Sequence, residues 1–261
     1  MKDKTKATID FLGQVKDAQQ IVVGQVRQTV NLALDANQQV QKKNVQYSTG
    51  FTLAPGRYHV KFVVRENQTG NMGSFEADIQ VPDMGKMPAN QMKLSSVVMS
   101  SQRQADSEKK PIDPLVRDGQ QWVPNVAHVF RQDQHLYFLY EVYSPAKAGA
   151  APAAANAKPD PNAPVHVLTS IEFLLNGVKV YETPTVEATT INIPERNAVG
   201  FQFDVPLAGL KPGTYVCQVN VIDDESGSWN LPRMALKVVP PTAAAATPVA
   251  SAAAAKAGPG M

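Results

Sequence analysis

Apolar and polar residues alternate with period two through most of this chain. Ile9, Phe11 and Val15 alternate with Asp10, Gln14 and Lys16. After a polar turn at 17–20, Val30, Leu32 and Leu34 alternate with Asn31 and Ala33. Tyr58, Val60, Phe62 and Val64 share one face, with His59, Lys61 and Arg65 on the other; Phe75, Ala77, Ile79 and Val81 repeat the pattern. Successive side chains of a strand point to opposite sides, so each run predicts a half-buried β-strand. Further strands are predicted over 92–100, 121–129, 135–143 and 166–175. Asn176-Gly177 predicts a type I′ hairpin returning through 178–181, because both turn positions need positive φ. No segment joins a helical period to capping residues, so helix content should be low.

One motif, L-x-P-G-x-Y, is written twice: Leu53-Ala54-Pro55-Gly56-Arg57-Tyr58 and Leu210-Lys211-Pro212-Gly213-Thr214-Tyr215. Each copy leads into an alternating run, a Gly-ended turn (66–70 and 223–227) and a second run closing at Val81-Pro82 or Val239-Pro240. Upstream, Ile9-Asp10-Phe11-Leu12 matches Ile171-Glu172-Phe173-Leu174. A repeat of this length predicts two copies of one structural unit. The domains are then 1–82 and 92–240, joined by a Pro/Gly-containing linker at 83–91. The second carries a Pro/Ala-rich insertion at 145–164, and an Ala-rich disordered tail occupies 241–261. The first domain has almost nothing ahead of Ala7. Its leading strands are expected to be encoded upstream, or its first sheet to be incomplete.

The motif also predicts the fold class: all-β, two tandem immunoglobulin-like or fibronectin-III-like β-sandwiches. Pro55 and Pro212 fix φ, Gly56 and Gly213 turn the chain, and Leu53 and Leu210 precede the turn. Tyr58 and Tyr215 can then bond back to the preceding loop as tyrosine corners at the start of strand F. Cys217, the single cysteine, follows Tyr215 where an antibody domain has its second cysteine. Without a partner it reads as a small buried apolar residue.

Composition is that of a globular chain, 43% hydrophobic and 18% charged, with a net charge of +2. No basic stripe interleaved with aromatics is present, so nucleic acid is not an expected partner. The first residues are basic, but Asp10, Gln14 and Lys16 interrupt the apolar run that a signal peptide requires. The tail is too weakly apolar for membrane insertion, and Pro248, Ser251, Lys256 and Pro259 interrupt it.

No catalytic signature is found: no G-x-S-x-G elbow, no H-E-x-x-H, no Walker loop and no G-x-G-x-x-G. No cofactor or metal is expected. Asp224-Glu225-Ser226-Gly227-Ser228 fits the metal-binding pattern D-x-S-x-S, but the next residues lead into a strand rather than a helix, so it reads as a solvated F–G turn. His59, His128, His135 and His166 fall in predicted strands, away from metal-ligand spacing. Asp78, Asp113, Asp118 and Glu141 are scattered, and nothing in the sequence favours their convergence. Trp122, Tyr137, Phe138, Tyr140 and Tyr143 form an aromatic concentration. It would line a carbohydrate or peptide surface if exposed; packing in the core is the preferred reading, since strands favour aromatics.

Residues 7–82 resemble the region downstream of the A-like domain in bacterial von Willebrand factor A (VWFA)-related proteins of the acidobacterial type. The resemblance is carried by Ile9 to Asp17, by Leu53 to Tyr58 and by Glu66 to Phe75; Leu115 to Gly119 and Val129 to Arg131 look like the same family's C-terminal region. It implies export to the periplasm or cell surface, with an A-domain ahead of this region. Two function classes follow: a non-catalytic structural or protein-interaction module of the envelope, or a carbohydrate-binding or enzyme-accessory sandwich using the aromatic cluster. A fragment of a split VWFA-related gene is a third reading. A protein partner is expected, unidentified, and the oligomeric state is open.

Overall fold

The structure is a computed structural model, described here for residues 6–33, 47–88, 91–105, 114–149 and 163–241. The polar stretch 35–44, most of the 145–164 insertion, Asp113 and nearly all of the 241–261 tail lie outside these residues. The chain divides into two compact units, Met1–Met87 and Pro88–Met261. Among the described residues, no helix is long and apolar enough to cross a membrane.

Among the described residues, unit 1 holds four strands: β1 (Lys6–Asp17), β2 (Val22–Ala33), β3 (Gly56–Glu66) and β4 (Met72–Val81). They form one antiparallel sheet in the order β2-β1-β3-β4. The alternation sorts the side chains onto two faces, but β4 is exposed along nearly its whole length rather than half-buried. Register pairs Val15 with Val60, Gly13 with Phe62 and Phe11 with Val64, and pairs Tyr58 with Ile79 and Phe62 with Phe75, so one face is apolar. The other carries His59, Lys61, Glu76 and Asp78. Val15, Tyr58 and Val60 form a small core, with Phe51, Leu53, Phe62 and Val81 packed against it. Phe51 crosses Gly24 so closely that a Cβ there would stand 2.8 Å from its ring, and Tyr47 stacks on Phe11 at 4.3 Å.

Unit 2 has two sheets. The first contains β5 (Lys93–Leu94), β6 (Val98–Ala105), β7 (Val116–Arg117), β8 (Gln120–Pro124), β10 (His135–Tyr143) and β14 (Ala198–Pro206). Its order is β14-β10-β6-β8-β7, with β5 also on β10. The second contains β9 (Val129–Arg131), β11 (Val167–Leu175), β12 (Val178–Glu182), β13 (Val186–Ala188), β15 (Gly213–Asp223), β16 (Ser228–Asn230) and β17 (Arg233–Val239). Its order is β12-β11-β15-β17-β9, with β13 on β11 and β16 on β15. Lettered by order, β6, β10 and β14 are strands A, B and E; β11, β12, β15 and β17 are C, C′, F and G. The two sheets enclose one core that includes Phe138, Tyr140, Phe173, Phe203, Cys217, Val219 and Leu236. The fold is an immunoglobulin-like, fibronectin-III-like β-sandwich.

Two predicted strands prove discontinuous. The run 92–100 is split into β5 and β6. Leu94 opposes Val142 and Val98 opposes Leu139, so this side spends one residue more than β10, a bulge around Ser95–Val97. The run 121–129 changes sheets: β8 pairs with β6, the chain turns through His128 at φ 51°, and β9 runs parallel to β17. His128 therefore lies in a turn, not a strand. The Asn176-Gly177 hairpin joins β11 to β12 with φ values of 52° and 80°.

Register also refines the repeat. Asp17 opposes Tyr58, and Leu175 opposes Tyr215. With the tyrosines aligned, β1, β2, β3 and β4 correspond to β11, β12, β15 and β17, the C, C′, F and G strands. The counterpart of Phe173, opposite Cys217, is then Val15, opposite Val60, and not Phe11, which opposes Val64. The two I-[DE]-F-L segments sit on equivalent strands but four positions out of step. An even offset keeps every side chain on its face, which is why the patterns match in sequence. Unit 1 thus supplies the C′CFG sheet; among the described residues it has no counterpart of the sheet that covers β11 and β15 in unit 2.

Candidate functional site

Both motif tyrosines stand at the entry to strand F. The Tyr58 hydroxyl donates to the Ala54 carbonyl at 2.7 Å and the Tyr215 hydroxyl to the Lys211 carbonyl at 2.6 Å, each four residues upstream. Leu53 packs against the small core of unit 1, and Leu210 is in the main core of unit 2. Pro55 and Pro212 are exposed and carry the chain into the turn, Gly56 and Gly213 opening the strand. Gly213 has a close neighbour: a Cβ there would sit 3.2 Å from the Leu175 side chain. These residues tie a loop to a strand. Replacing either tyrosine by phenylalanine should lower the stability of its unit by about 0.5–1.5 kcal/mol, the worth of one hydrogen bond. Urea unfolding of Tyr58→Phe and Tyr215→Phe measures this, and no change at either site would contradict the assignment.

The aromatic concentration does not form one surface. Trp122 and Tyr140 are each only 1% exposed. Strand parity sends Tyr140 inward with Phe138, onto Phe201 and Phe203 at ring distances of 5.6 and 6.2 Å. Its hydroxyl contacts Thr169 Oγ1 at 2.6 Å, and burial pushes its titration upward. Tyr137 and Tyr143, half-buried, share the outer face of β10 with Leu139 and Glu141. There Trp122 meets the edge of Tyr137 at 5.7 Å, and the Arg103 guanidinium lies 4.0 Å above the Tyr137 ring. Burial of Trp122 and Tyr140 removes those two rings from any carbohydrate-binding platform.

The same outer face of the sheet holds a constellation that sequence reasoning missed. Glu141, 5% exposed, receives both Arg117 and Arg196, the latter at 3.0 Å. Burial, then the nearby Arg196 cation, holds the Arg117 guanidinium below its ordinary value. Asp118 accepts a hydrogen bond from Gln202 Nε2 at 3.1 Å rather than joining Glu141. A cleft of about 240 Å³ beside Arg117 is lined by Asp118, Leu139, Asn192, Ile193 and Gln202 among others. Asp78, in unit 1, bonds His59 at 2.8 Å. Asp78, Asp118 and Glu141 thus each have a different partner, and Asp113 lies outside the described residues.

Three of the histidines are held by carboxylates at strand surfaces. His59 lies between Asp78 and Glu76, and the hydrogen bond to Asp78 raises its pKa most. His135 meets Asp204 at 2.5 Å. His166 Nδ1 meets Asp224 at 3.0 Å and Nε2 meets Glu187 at 2.9 Å, and the bond to Asp224 leads the upward shift of its pKa. His128 instead contacts the Ala235 carbonyl at 3.1 Å. A raised folded pKa means that the stabilisation by His166 is complete below the unfolded value, about 6.5. It is lost as pH rises through the folded value. Melting of His166→Gln across this range should show a flatter pH dependence than the parent; identical profiles would refute the link.

In the D-x-S-x-S turn, the Asp224 carboxylate faces His166, while the Ser226 and Ser228 hydroxyls bond each other at 2.8 Å. The pattern's ligands thus point to different partners. No group of three or more His, Cys, Asp or Glu suited to a metal exists among the described residues. Cys217 is fully buried and burial pushes its thiol pKa up, so it is a core residue and not a nucleophile.

No family model matches the chain, and no curated protein does. Among solved structures, the chain is similar to the fibronectin(III)-like modules of Clostridium thermocellum CbhA at 11% identity. The match covers 91% of this chain and 80% of that one, with a TM-score of 0.20. The fold assignment rests on the strand order and register above.

Proposed function

We propose that this chain is a non-catalytic structural or protein-interaction module, the immunoglobulin-like C-terminal part of a VWFA-related envelope protein. The observation that carries the first half is the use made of its polar chemistry. The histidines, the corner tyrosines, Glu141 and the D-x-S-x-S turn are each committed to partners within the fold, and the lone cysteine is sealed in the core. Side chains so committed hold strands together and leave the surface to recognise a partner. The envelope assignment rests on the resemblance carried by residues 9–17, 53–58 and 66–75. Cell fractionation with an antibody to this chain tests it: the envelope fraction is the expected location, together with an A-domain encoded in frame upstream. A strictly cytosolic chain with no such domain would sink the assignment.

A further inference from the structure

We propose that the outward face of the second sheet of unit 2, at its F–G end, docks a short arginine-bearing segment of a partner protein on Trp229. The inference rests on the reading of this chain as an interaction module and names the partner's chemistry. Register builds the surface. Glu187 opposes Leu168, Leu168 opposes Ile222 and Ile222 opposes Trp229, so the four side chains form one row across β13, β11, β15 and β16. Val167, Thr169 and Val221, their neighbours along the strands, are buried. The row therefore faces outward: Trp229 is 65% exposed, Ile222 42%, and Leu168 is half-buried. Further along the same face the chemistry changes. Asn220 donates to Ser170 Oγ at 3.2 Å, Gln218 to Asn220 Oδ1 at 2.7 Å and Arg233 to Gln218 Oε1 at 2.6 Å. That polar part is knitted into itself, whereas the indole is left open.

Carboxylates rim the row. The Asp224 amide donates to the His166 carbonyl at 3.0 Å, which extends the β11–β15 ladder by one step and puts Asp224 on the face of Ile222. Glu187 ends the row. Asp224 and Glu187 each spend one oxygen on the His166 ring and stay 62% and 55% exposed, so the second oxygen can accept from an incoming donor. Glu225 follows in the turn, also exposed. His166 offsets at most one of these charges.

An open indole beside carboxylates is the chemistry that recognises an organic cation. A guanidinium lies flat on the ring while its N–H groups donate to the acids, which the compact ammonium of lysine does less well. The diagonal from Trp229 to the position two beyond Ile222 is about 7–8 Å, within an arginine's reach. A second copy presenting this face, or an anionic surface, would bring like charge to the rim. Size limits the partner too. The row spans three strand spacings, about 14 Å, room for a few residues of extended chain and not for a domain face, so binding should be weak and reversible.

Fluorescence anisotropy of a fluorescein-labelled synthetic peptide alternating valine and arginine, titrated with the full chain, reads the binding. Saturation with a Kd of about 0.1–1 mM is expected, at least about tenfold tighter than for the same peptide with glutamate in place of arginine. Trp229→Ala should weaken it about tenfold and Asp224→Asn about threefold. Thr214→Ala, exposed at the opposite end of β15, should leave it unchanged. Trp229→Ala truncates an exposed side chain and should keep the parent's circular dichroism; should it not fold, Asp224→Asn decides by the same reading. Acrylamide quenching is a second readout, because Trp122 is buried and Trp229 is the accessible one of the two tryptophans. The arginine peptide should shield it. Absence of saturation, equal binding of the glutamate peptide, or a folded Trp229→Ala that binds like the parent overturns the proposal. So does a free chain that already shields Trp229, or an uncharged oligosaccharide that shields it where the peptide does not. Any of these would leave the module reading standing with another surface as its site, and fractionation, read separately, still tests the envelope assignment.

Discussion

Replacing Glu141 by alanine should lower the stability of unit 2 by about 3–5 kcal/mol, the usual cost of removing one partner from a buried ion pair. The carboxylate is the one group that Arg117 and Arg196 share, and their side chains are only 15% and 25% exposed. Without it, two guanidinium ions face each other in a site already poor in water. Asp118 and Glu195 act favourably on Arg117 from a distance, but Arg117 is already held below its ordinary value by burial and Arg196. The backbone of Glu141 is a separate matter: its amide donates to Ser95 Oγ and its carbonyl accepts from the Ser95 amide, both at 2.9 Å. Those bonds survive the substitution, so the loss reports the side chain. Glu141→Gln keeps the shape and removes the charge, and should fall between parent and alanine. Arg196→Ala leaves Glu141 paired with Arg117 and should cost less than Glu141→Ala. Urea unfolding, followed for the transition of unit 2, gives all three values. A Glu141→Ala loss under about 1 kcal/mol would mean that the site behaves as a surface salt bridge.

This cluster also shows where the residue pattern ran out. Strand positions, the Asn176-Gly177 hairpin and the corner tyrosines were legible because each is a local signal: alternation, a turn dipeptide, a short motif. Arg117, Glu141 and Arg196 come from three distant segments and share no spacing, so only the folded chain brings them together. The offset between the two I-[DE]-F-L segments was hidden for a related reason. Alternation reports which face a residue occupies, and a shift by an even number leaves that unchanged. The sheet switch after Pro124 left no mark on periodicity, because β8 and β9 both alternate and only their partners differ. The aromatic cluster was more readable than the earlier grouping allowed. Within 135–143, parity alone separates Tyr137 and Tyr143 from Tyr140. Burial of Trp122, on the other hand, depends on Tyr137 and Arg103, and neither is its neighbour in sequence.

Tyr140→Ala should cost unit 2 about 3–5 kcal/mol, and Tyr140→Phe only about 0.5–1.5 kcal/mol. The difference separates the two things this residue does. Its ring lies against Phe201 and Phe203, between the sheets, at 1% exposure. Alanine there leaves a cavity that the flanking strands are too well paired to close: β10 is hydrogen-bonded to β14 on one side and to β5 and β6 on the other. The hydroxyl does less. Thr169 Oγ1 also donates to the Asn220 carbonyl at 2.6 Å, so phenylalanine leaves the threonine with a partner and strands no buried donor. A ligand-binding tyrosine would show the reverse ranking of interest, with stability nearly unchanged by either substitution and a binding signal lost with the hydroxyl. If Tyr140→Ala instead unfolds with the parent's midpoint, the ring is not part of the core and the packing of the two sheets about β10 must be redrawn.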